Sequence, residues 1–260
     1  MTDVIGTRGG GGPLAGRSAL TDLQQLALRA AAGRIDGMQD EMRMAAGARG
    51  ESPGLPQLPV PPQLPALRAA RQAAVLVLFG ARDGLPHTDP AALAPEDCDV
   101  LLVERAATLD DHPGQIAFPG GGLDEDDDGM VAAAVREAVE ETGLEASGVQ
   151  VLGQLPLTEL AVSNFAVTPV LAWWAEPSPV YAVDPGESAR VFRAPVRELL
   201  DPANRLVSTV RRGSATFRSP TFLVQDAVVW GFTGGILSRL FEELGWARDW
   251  DMSREMPAPL

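Results

Sequence analysis

From Phe118 to Leu144 the chain reads FPGGGLDEDDDGMVAAAVREAVEETGL: a run of glycines, a run of acidic residues, then helix formers closed by Gly143. Each part constrains the next. Glycines carry no Cβ, so Gly120, Gly121 and Gly122 let the backbone approach a neighbouring element closely. Asp127 or Asp128 is placed to cap the following helix, because a short carboxylate accepts from the free amides of a first turn. Met130, Ala133, Ala134 and Ala138, with Val135 and Val139, give that helix a small, apolar side for packing. Glu137, Glu140 and Glu141 fall at i, i+3 and i+4, hence on one side. Gly143 then stops the helix, and Leu144 follows.

Crowding these carboxylates is unfavourable, since like charges at i and i+4 destabilise a helix by roughly 0.2–0.5 kcal/mol per pair. Either that side is solvated or something positive sits on it. EAVEE alone is what a solvated acidic surface looks like. The glycine run in front, and Arg136 directly before Glu137, are features such a surface does not require. Convergent carboxylates suit a hard divalent cation such as Mg2+ or Mn2+, and a glycine carbonyl is able to join the shell. Mg2+ keeps waters and binds substrate phosphates, so the pattern points to phosphate chemistry. Arg136 is placed to pair a neighbouring glutamate and hold it in register.

The flanks predict the architecture. AAVLVLF (Ala73–Phe79), DVLLVER (Asp99–Arg105), VQVLGQLP, FAVTPVLAWW and ESARVFRAP read as strands, and GARDGLPHTDPAALAPEDC as a loop. TFLVQDAVVW reads as a hairpin turning at Gln225-Asp226. TGGILSRLFEELG reads as a terminal helix, with Ile236, Leu237, Leu240, Phe241 and Leu244 as its buried stripe and Gly245 as its stop. Strands, a helix, more strands and a helix argue for an α+β fold: a mixed sheet with helices packed on it. Trp173 and Trp174 alternate across a strand, which places one in the core and the other at an edge or interface. Arg211-Arg212 in STVRRGSATF is a basic pair able to attract an anionic substrate, with a solvated turn as the default reading. His112 lies in a loop within reach of a ligand, and His87 has a surface role.

Residues 1–19 read as a glycine-rich, disordered start. A helix is predicted from Thr21 to about Ala48, with Leu28, Ile35, Met38 and Met42 at helical spacing, packed on its own chain in preference to a partner. Prolines at 53, 56, 59, 61, 62 and 65 mark an extended linker. The expected organisation is an extension over residues 1–66, a catalytic domain over 67–252 and a tail over 253–260. A net charge of -14 argues against nucleic-acid binding. Cys98 is the one cysteine, so it reads as a reduced thiol without disulfide partner. The amino terminus lacks the features of a signal peptide, and no apolar run approaches the ~20 residues of a membrane span. The expectation is a soluble, cytoplasmic protein.

The glycine-to-helix block resembles the Nudix box, G-x5-E-x7-R-E-U-x-E-E-x-G-U. Gly122, Arg136, Glu137, Ala138, Glu140, Glu141, Gly143 and Leu144 fit the pattern, with Asp128 in the first acidic position. Aligning FPGG on Gly120-Gly121 puts Asp127 there instead. Just upstream, LLVERAATLDDHPGQIAFPGG resembles the signature of coenzyme A pyrophosphatases within that family. Leu101, Leu102, Arg105, Ala106, Gly114, Phe118, Pro119, Gly120 and Gly121 match it. Val103 replaces a threonine, and Asp110 replaces an arginine.

The resemblance implies a Nudix fold, an α/β/α sandwich with a mixed, curved β-sheet between helices. It implies a metal-dependent hydrolase that cleaves coenzyme A or its thioesters to 3',5'-ADP and 4'-phosphopantetheine. ADP-ribose, dinucleotides and nucleoside triphosphates stay open as substrates, as does a non-catalytic binding module. Mg2+ or Mn2+ would sit on Gly121, Glu137, Glu140 and Glu141. Arg136, Glu137, Glu141 and Glu187 are the catalytic candidates, with Glu137 as ligand or base and Glu187, from a later loop, as the other candidate base. Arg105, Gly114, Gln115, Phe118, Gly120, Gly121 and Gly122 are the substrate-binding candidates. Arg105 would meet a phosphate or pair with a carboxylate of the box helix. The partner is a small nucleotide-diphosphate substrate, without nucleic acid or membrane, and a homodimer stays open.

Overall fold

Strand β1 (Arg71–Ala81) is apolar on both faces, the mark of a strand with a layer on each side. The structure is a computed structural model that describes residues 16–35, 70–85, 89–109, 112–160, 165–212 and 215–259. In it the chain adds β2 (Cys98–Arg105), β3 (Ile116–Ala117), β4 (Gly120–Gly122), β5 (Val149–Gln154), β6 (Thr158–Leu160), β7 (Phe165–Trp174) and β8 (Ser188–Pro195) to one mixed sheet. Parallel pairing of β1 with β7, from Arg71↔Phe165 to Gly80↔Trp174, forms its centre. The other pairings in this sheet are antiparallel.

The other edge of β1 is shared. Phe79–Ala81 pair with the start of β2, whereas Ala73–Val75 pair with the glycine strand β4. Between them the Leu76 N–H donates to the Pro119 carbonyl at 2.8 Å. The far half of β2 leaves β1 and pairs with β3 and β8. The glycine strand is therefore wedged into a fork between β1 and β2.

Helices cover both faces, which agrees with the expected α+β sandwich. Helix α2 (Met130–Thr142) lays Ala133, Ala134 and Ala138 on Ala74, Leu76, Leu78, Leu101, Val170 and Trp174. The opposite face packs Val77, Phe79, Val100, Leu102 and Trp173 against α1 (Ala19–Ala31), α3 (Val196–Leu199) and α4 (Gly231–Glu243). This corrects the reading of the tryptophan pair. Trp173 and Trp174 do point to opposite faces, but both are 2% exposed, because neither face of the sheet is open.

The first helix is shorter than its composition predicted. It starts at the Ser18 cap, whose hydroxyl accepts from the Thr21 N–H, and ends at Ala31, with Gly33 left-handed at φ +64. The rest of the expected helix, with Met38 and Met42, lies outside the described residues, as do most of the glycine-rich start, the proline segment, His87 and Asp110. Its buried stripe is Leu23, Leu26 and Ala27, whereas Leu28 is 70% exposed. Polar contacts fix α1 to the end of α4. Trp246 Nε1 donates to Asp22 at 2.8 Å, and Arg17 and Arg29 donate to the carbonyls of Leu244 and Glu243.

A second sheet holds β9 (Arg205–Arg212), β10 (Ala215–Val224), β11 (Ala227–Val229) and β12 (Glu255–Pro257). The β10–β11 turn falls at Gln225-Asp226 as expected, with φ of +46 and +65, the conformation of a tight hairpin. Within STVRRGSATF, residues 208–212 and 215–217 are strand, so Arg211 and Arg212 do not sit in a turn. These residues pair across the β9–β10 ladder, and their Ser, Thr and Arg content hid the strands. Arg211 is exposed near the end of β9. Cys98 is buried, with its thiol pushed up to about 12 chiefly by desolvation. Among the described residues no helix is long and apolar enough to cross a membrane.

If α1 belongs to the core, Leu26→Ala will lower stability in urea unfolding by about 2–5 kcal/mol, the usual cost of emptying a packed leucine site. A loss under ~0.5 kcal/mol, the scale of surface substitutions, would place α1 outside the cooperative unit.

Candidate functional site

Position in the fork makes Gly120 obligatory and crowds Gly121, whereas Gly122 faces open space. A Cβ on Gly120 would lie 2.3 Å from the Ala74 carbonyl oxygen, which is strand backbone and has nowhere to go. A Cβ on Gly121 would lie 2.4 Å from the carboxyl carbon of Glu137. The first glycine thus lets β4 lie against β1, and the second lets α2 bring a carboxylate against β4. At the other end of α2, Gly143 takes the left-handed conformation at φ +68, as its sequence position required.

Neither Asp127 nor Asp128 caps α2. The cap position is Gly129, at φ +100, without a side-chain acceptor. Asp127 turns instead to Arg136, receiving Nε at 3.1 Å and Nη2 at 2.9 Å, and it also accepts the Asp124 N–H. Its side chain is only 5% exposed. The Arg136 guanidinium holds its carboxyl below the usual carboxylate range. Asp128 is exposed, so Asp127 is the loop carboxylate that serves the helix.

Arg136 is the hub of the block. Besides Asp127 it donates to the Gly122 carbonyl at 3.1 Å, to Glu137 at 3.0 Å and to Glu140 at 3.3 Å. The positive charge demanded by the glutamate spacing is thus supplied in part by the helix itself. Glu137 stays half-buried beside Gly121, and desolvation raises its pKa against the pull of Arg136. Glu140 is 59% exposed on the Arg136 side.

Glu141 has the least solvated setting of the three. Its Oε2 accepts the Gly120 N–H at 3.0 Å. Burial pushes its carboxyl up to about 7; the Gly120 amide and Arg105 oppose this, while Glu137 and Glu187 add to it. Arg105 and Glu187 therefore act electrostatically on Glu141 from two other segments. Arg105 ends β2 and exchanges backbone hydrogen bonds with Gly114 and Gln115 in the turn that leads into β3. Glu187 is tied to the same place, because its carbonyl accepts the Ala106 N–H at 2.8 Å. Glu187 and Gly114 are exposed, as is His112, while Gln115 is partly exposed.

One expected substrate contact is lost. Phe118 is 2% exposed and packs in the hydrophobic core, so its side chain anchors the glycine strand from beneath. Among the described residues no three Asp, Glu, His or Cys side chains converge as a ready cation cage. The reason is visible: Arg136 draws Glu137 and Glu140 while Gly120 holds Glu141. The donors are nonetheless hard oxygens, and the cradle between Glu137 and Gly121 is one that a Cβ would fill, so the set fits a small divalent cation.

Sequence reasoning missed the loop that closes the end of α2. The Tyr181 N–H donates to the Thr142 carbonyl at 2.9 Å and the Val183 N–H to the Glu141 carbonyl at 3.3 Å. Tyr181 and Val183 are exposed apolar residues in an otherwise polar stretch, the one sequence signal that hinted at them.

A family model described as NUDIX domain matches residues 86–206. The chain is 38% identical over 175 residues to the uncharacterized Nudix hydrolase NudL of Cronobacter sakazakii, covering 67% of this chain and 83% of that one. It is 35% identical over 184 residues to the NudL of Pectobacterium atrosepticum, covering 71% and 88%. Among solved structures it is similar to RenU, a Nudix hydrolase from M. smegmatis, with 26% identity, 48% and 71% coverage and a TM-score of 0.34.

The raised carboxyl of Glu141 carries a pH signature. Its folded pKa, about 7, lies above the ordinary glutamate range near ~4.3, so the folded state holds this proton more tightly. The stabilisation is present below the ordinary range and lost as pH rises through about 7. In chelator-treated protein the urea midpoint will fall between about pH 5 and 7.5, and Glu141→Gln will flatten that fall. Identical pH profiles for the two proteins would contradict the assignment.

Proposed function

The chain belongs to the Nudix hydrolase family, and from that premise we propose that it hydrolyses the diphosphate of coenzyme A or its thioesters, releasing 3',5'-ADP and 4'-phosphopantetheine or its acyl form. The observation that carries this reading is the meeting of Glu141, the Gly120 amide, Arg105 and Glu187 at one end of the sheet. Support for coenzyme A comes from the run Leu101–Gly121, which resembles the coenzyme A subgroup and supplies Arg105, Gly114, Gln115 and the glycine strand to this same place.

Glu137, Glu141 and the Gly121 carbonyl would hold Mg2+ or Mn2+, with Glu140 joining from the outer side. A bound divalent cation supplies charge neutralisation at the diphosphate and a more acidic water. Arg105 faces the same region and neutralises phosphate charge from the β2 side. Arg136 keeps Glu137 in register through its bonds to Asp127 and Gly122. The exposed carboxylate of Glu187 accepts the proton of the attacking water. The tight backbone of β4 excludes side chains, so a phosphate is able to approach its amides.

Glu141→Gln will lower kcat/KM for coenzyme A by about a hundred-fold or more, the scale on which loss of one preorganised electrostatic group is felt. Equal rates for wild type and variant under Mg2+ would remove the site from the mechanism. Gly121→Ala tests the cradle. It will fold, because the far end of Glu137 gives way, but the displaced carboxylate will cost about a hundred-fold in kcat/KM. Mass spectrometry on a panel of coenzyme A, ADP-ribose, NADH and nucleoside triphosphates decides the substrate. Absence of 3',5'-ADP from the coenzyme A reaction overturns that choice.

A further inference from the structure

The last carbonyls of a helix have no partner within it and must find one elsewhere. For Glu141 and Thr142 of α2 the partners come from residues 175–187, which cross the end of the helix on the way from β7 to β8. The Tyr181 N–H donates to the Thr142 carbonyl at 2.9 Å and the Val183 N–H to the Glu141 carbonyl at 3.3 Å. Just beyond the helix, the Glu145 N–H donates to Ser178 Oγ at 2.9 Å. The segment therefore grips α2 through the backbone of Glu141, the residue whose carboxylate accepts the Gly120 amide.

The far end of this segment carries Glu187. The Asp184 carbonyl accepts the Glu187 N–H at 3.0 Å and the Ser188 N–H at 2.9 Å, and Asp184 Oδ1 accepts the Gly186 N–H at 2.7 Å. Asp184 thus folds residues 184–188 into a tight turn. The Glu187 carbonyl takes the Ala106 N–H at 2.8 Å, and Ser188 pairs with Arg105, so the turn is also fastened to the end of β2. Only residues 184–186 lie between Val183, bonded to Glu141, and Glu187, whose charge acts on the Glu141 carboxylate.

Side chains do little to hold the turn, since residues 183–187 are all exposed. Tyr181 is 60% exposed as well, yet its ring has a seat. A Cβ on Gly143 would lie 2.9 Å from the Tyr181 Cζ, so the ring rests against the bare backbone that ends α2. Gly143 serves the left-handed turn and, by lacking a side chain, also leaves room for this ring. Among the described residues the phenol hydroxyl makes no hydrogen bond, so the ring acts by packing.

We propose that Tyr181, seated on Gly143, is a positioning residue: it clamps residues 181–187 on the end of α2 and so sets where Glu187 stands beside Glu141. The proposal rests on the reading of Glu187 as the base. A general base must lie within hydrogen-bond reach of the proton it takes, and a displacement of about 1 Å costs up to about a hundred-fold in rate. An exposed glutamate in a turn has no packing of its own to supply that precision. A ring seated on the end of the helix that carries Glu141 supplies it through a rigid element.

Two measurements test this. The first is turnover under Mg2+ of whichever member of the panel above the enzyme cleaves, in Tyr181→Ala, Tyr181→Phe and Glu187→Gln, and in Tyr181→Ala combined with Glu187→Gln. Tyr181→Ala will lower kcat about ten- to a hundred-fold with KM nearly unchanged, and Tyr181→Phe will keep the wild-type kcat. In the Glu187→Gln background Tyr181→Ala will cost little more, because the group it places is already gone. An equal loss in both backgrounds marks a merely structural role and overturns the proposal, as does an unchanged kcat in Tyr181→Ala while Glu187→Gln is impaired. Should wild type cleave no member, or Glu187→Gln cleave as fast as wild type, the base reading falls and takes the proposal with it. The second is amide hydrogen exchange of the full chain without substrate or metal. Tyr181→Ala will speed exchange at Val183, Glu187 and Ser188 about ten-fold, the scale on which one ordinary contact shifts a local opening, and Tyr181→Phe will not. Equal exchange in wild type and Tyr181→Ala overturns the proposal.

Discussion

The approach of two backbones at the glycine strand is the constraint on which this structure depends. Gly120 lies where any Cβ would strike the carbonyl of Ala74, and Gly121 lies where any Cβ would strike Glu137. Those contacts point in opposite directions, one into the sheet and one toward the helix above it. The first draws the loop into the fork between β1 and β2, and the second lets α2 descend until its carboxylates border the strand. Residues far apart in sequence then share one corner: Arg105 from β2, Glu141 from α2 and Glu187 from the loop before β8. No single interaction in that corner is strong by itself. What is unusual is that a turn with no side chains sits at its centre, so the surrounding charges meet across backbone alone.

How the glutamate repulsion is relieved follows from the same geometry. Arg136 reaches Glu137, Glu140, Asp127 and the Gly122 carbonyl together. It neutralises the helix surface and ties it to the loop in front. A cation bound at Glu137 and Glu141 would therefore enter a site whose scaffold is already held, and would compete with Arg136 for one carboxylate. Such a scaffold lowers the ordering cost of binding, because the supporting side chains are fixed in advance.

The parts legible in the sequence were those with strong local codes. Helix α2 was marked by its 3.6-residue spacing and by Gly143, the β10–β11 turn by two residues able to take positive φ, and the central strands by unbroken apolar runs. What the sequence left open required knowledge of neighbours. Asp127 and Asp128 are equivalent in the chain, and only the position of Arg136 separates them. Phe118 looks like a ligand contact because it adjoins the glycines, yet its ring belongs to the core. Strands β9 and β10 carry Ser, Thr and Arg, which do not alternate in the way a half-buried strand is expected to. For α1, Leu28 invited the wrong face, since the side that packs is set by Trp246 and Asp22, at a separation of 224 residues.

That last contact says something about the order in which the molecule is assembled. Asp22 and Arg17 pair with each other and also reach Trp246 and Leu244. Leu23, Leu26 and Ala27 share their core with Leu93, Leu155 and Leu171, and Gly153 of β5 lies against Ala27, so the apolar side of α1 has neighbours from the middle of the chain as well as from its end. The sheet and α2 are able to form earlier, from contacts closer in sequence. Docking of α1 onto the end of α4 is then a late closing step, and one of high contact order. A nascent chain halted before Trp246 would seat α1 on the sheet without its polar ties to the end of α4, so those ties are the part of its docking left to the last stretch of translation.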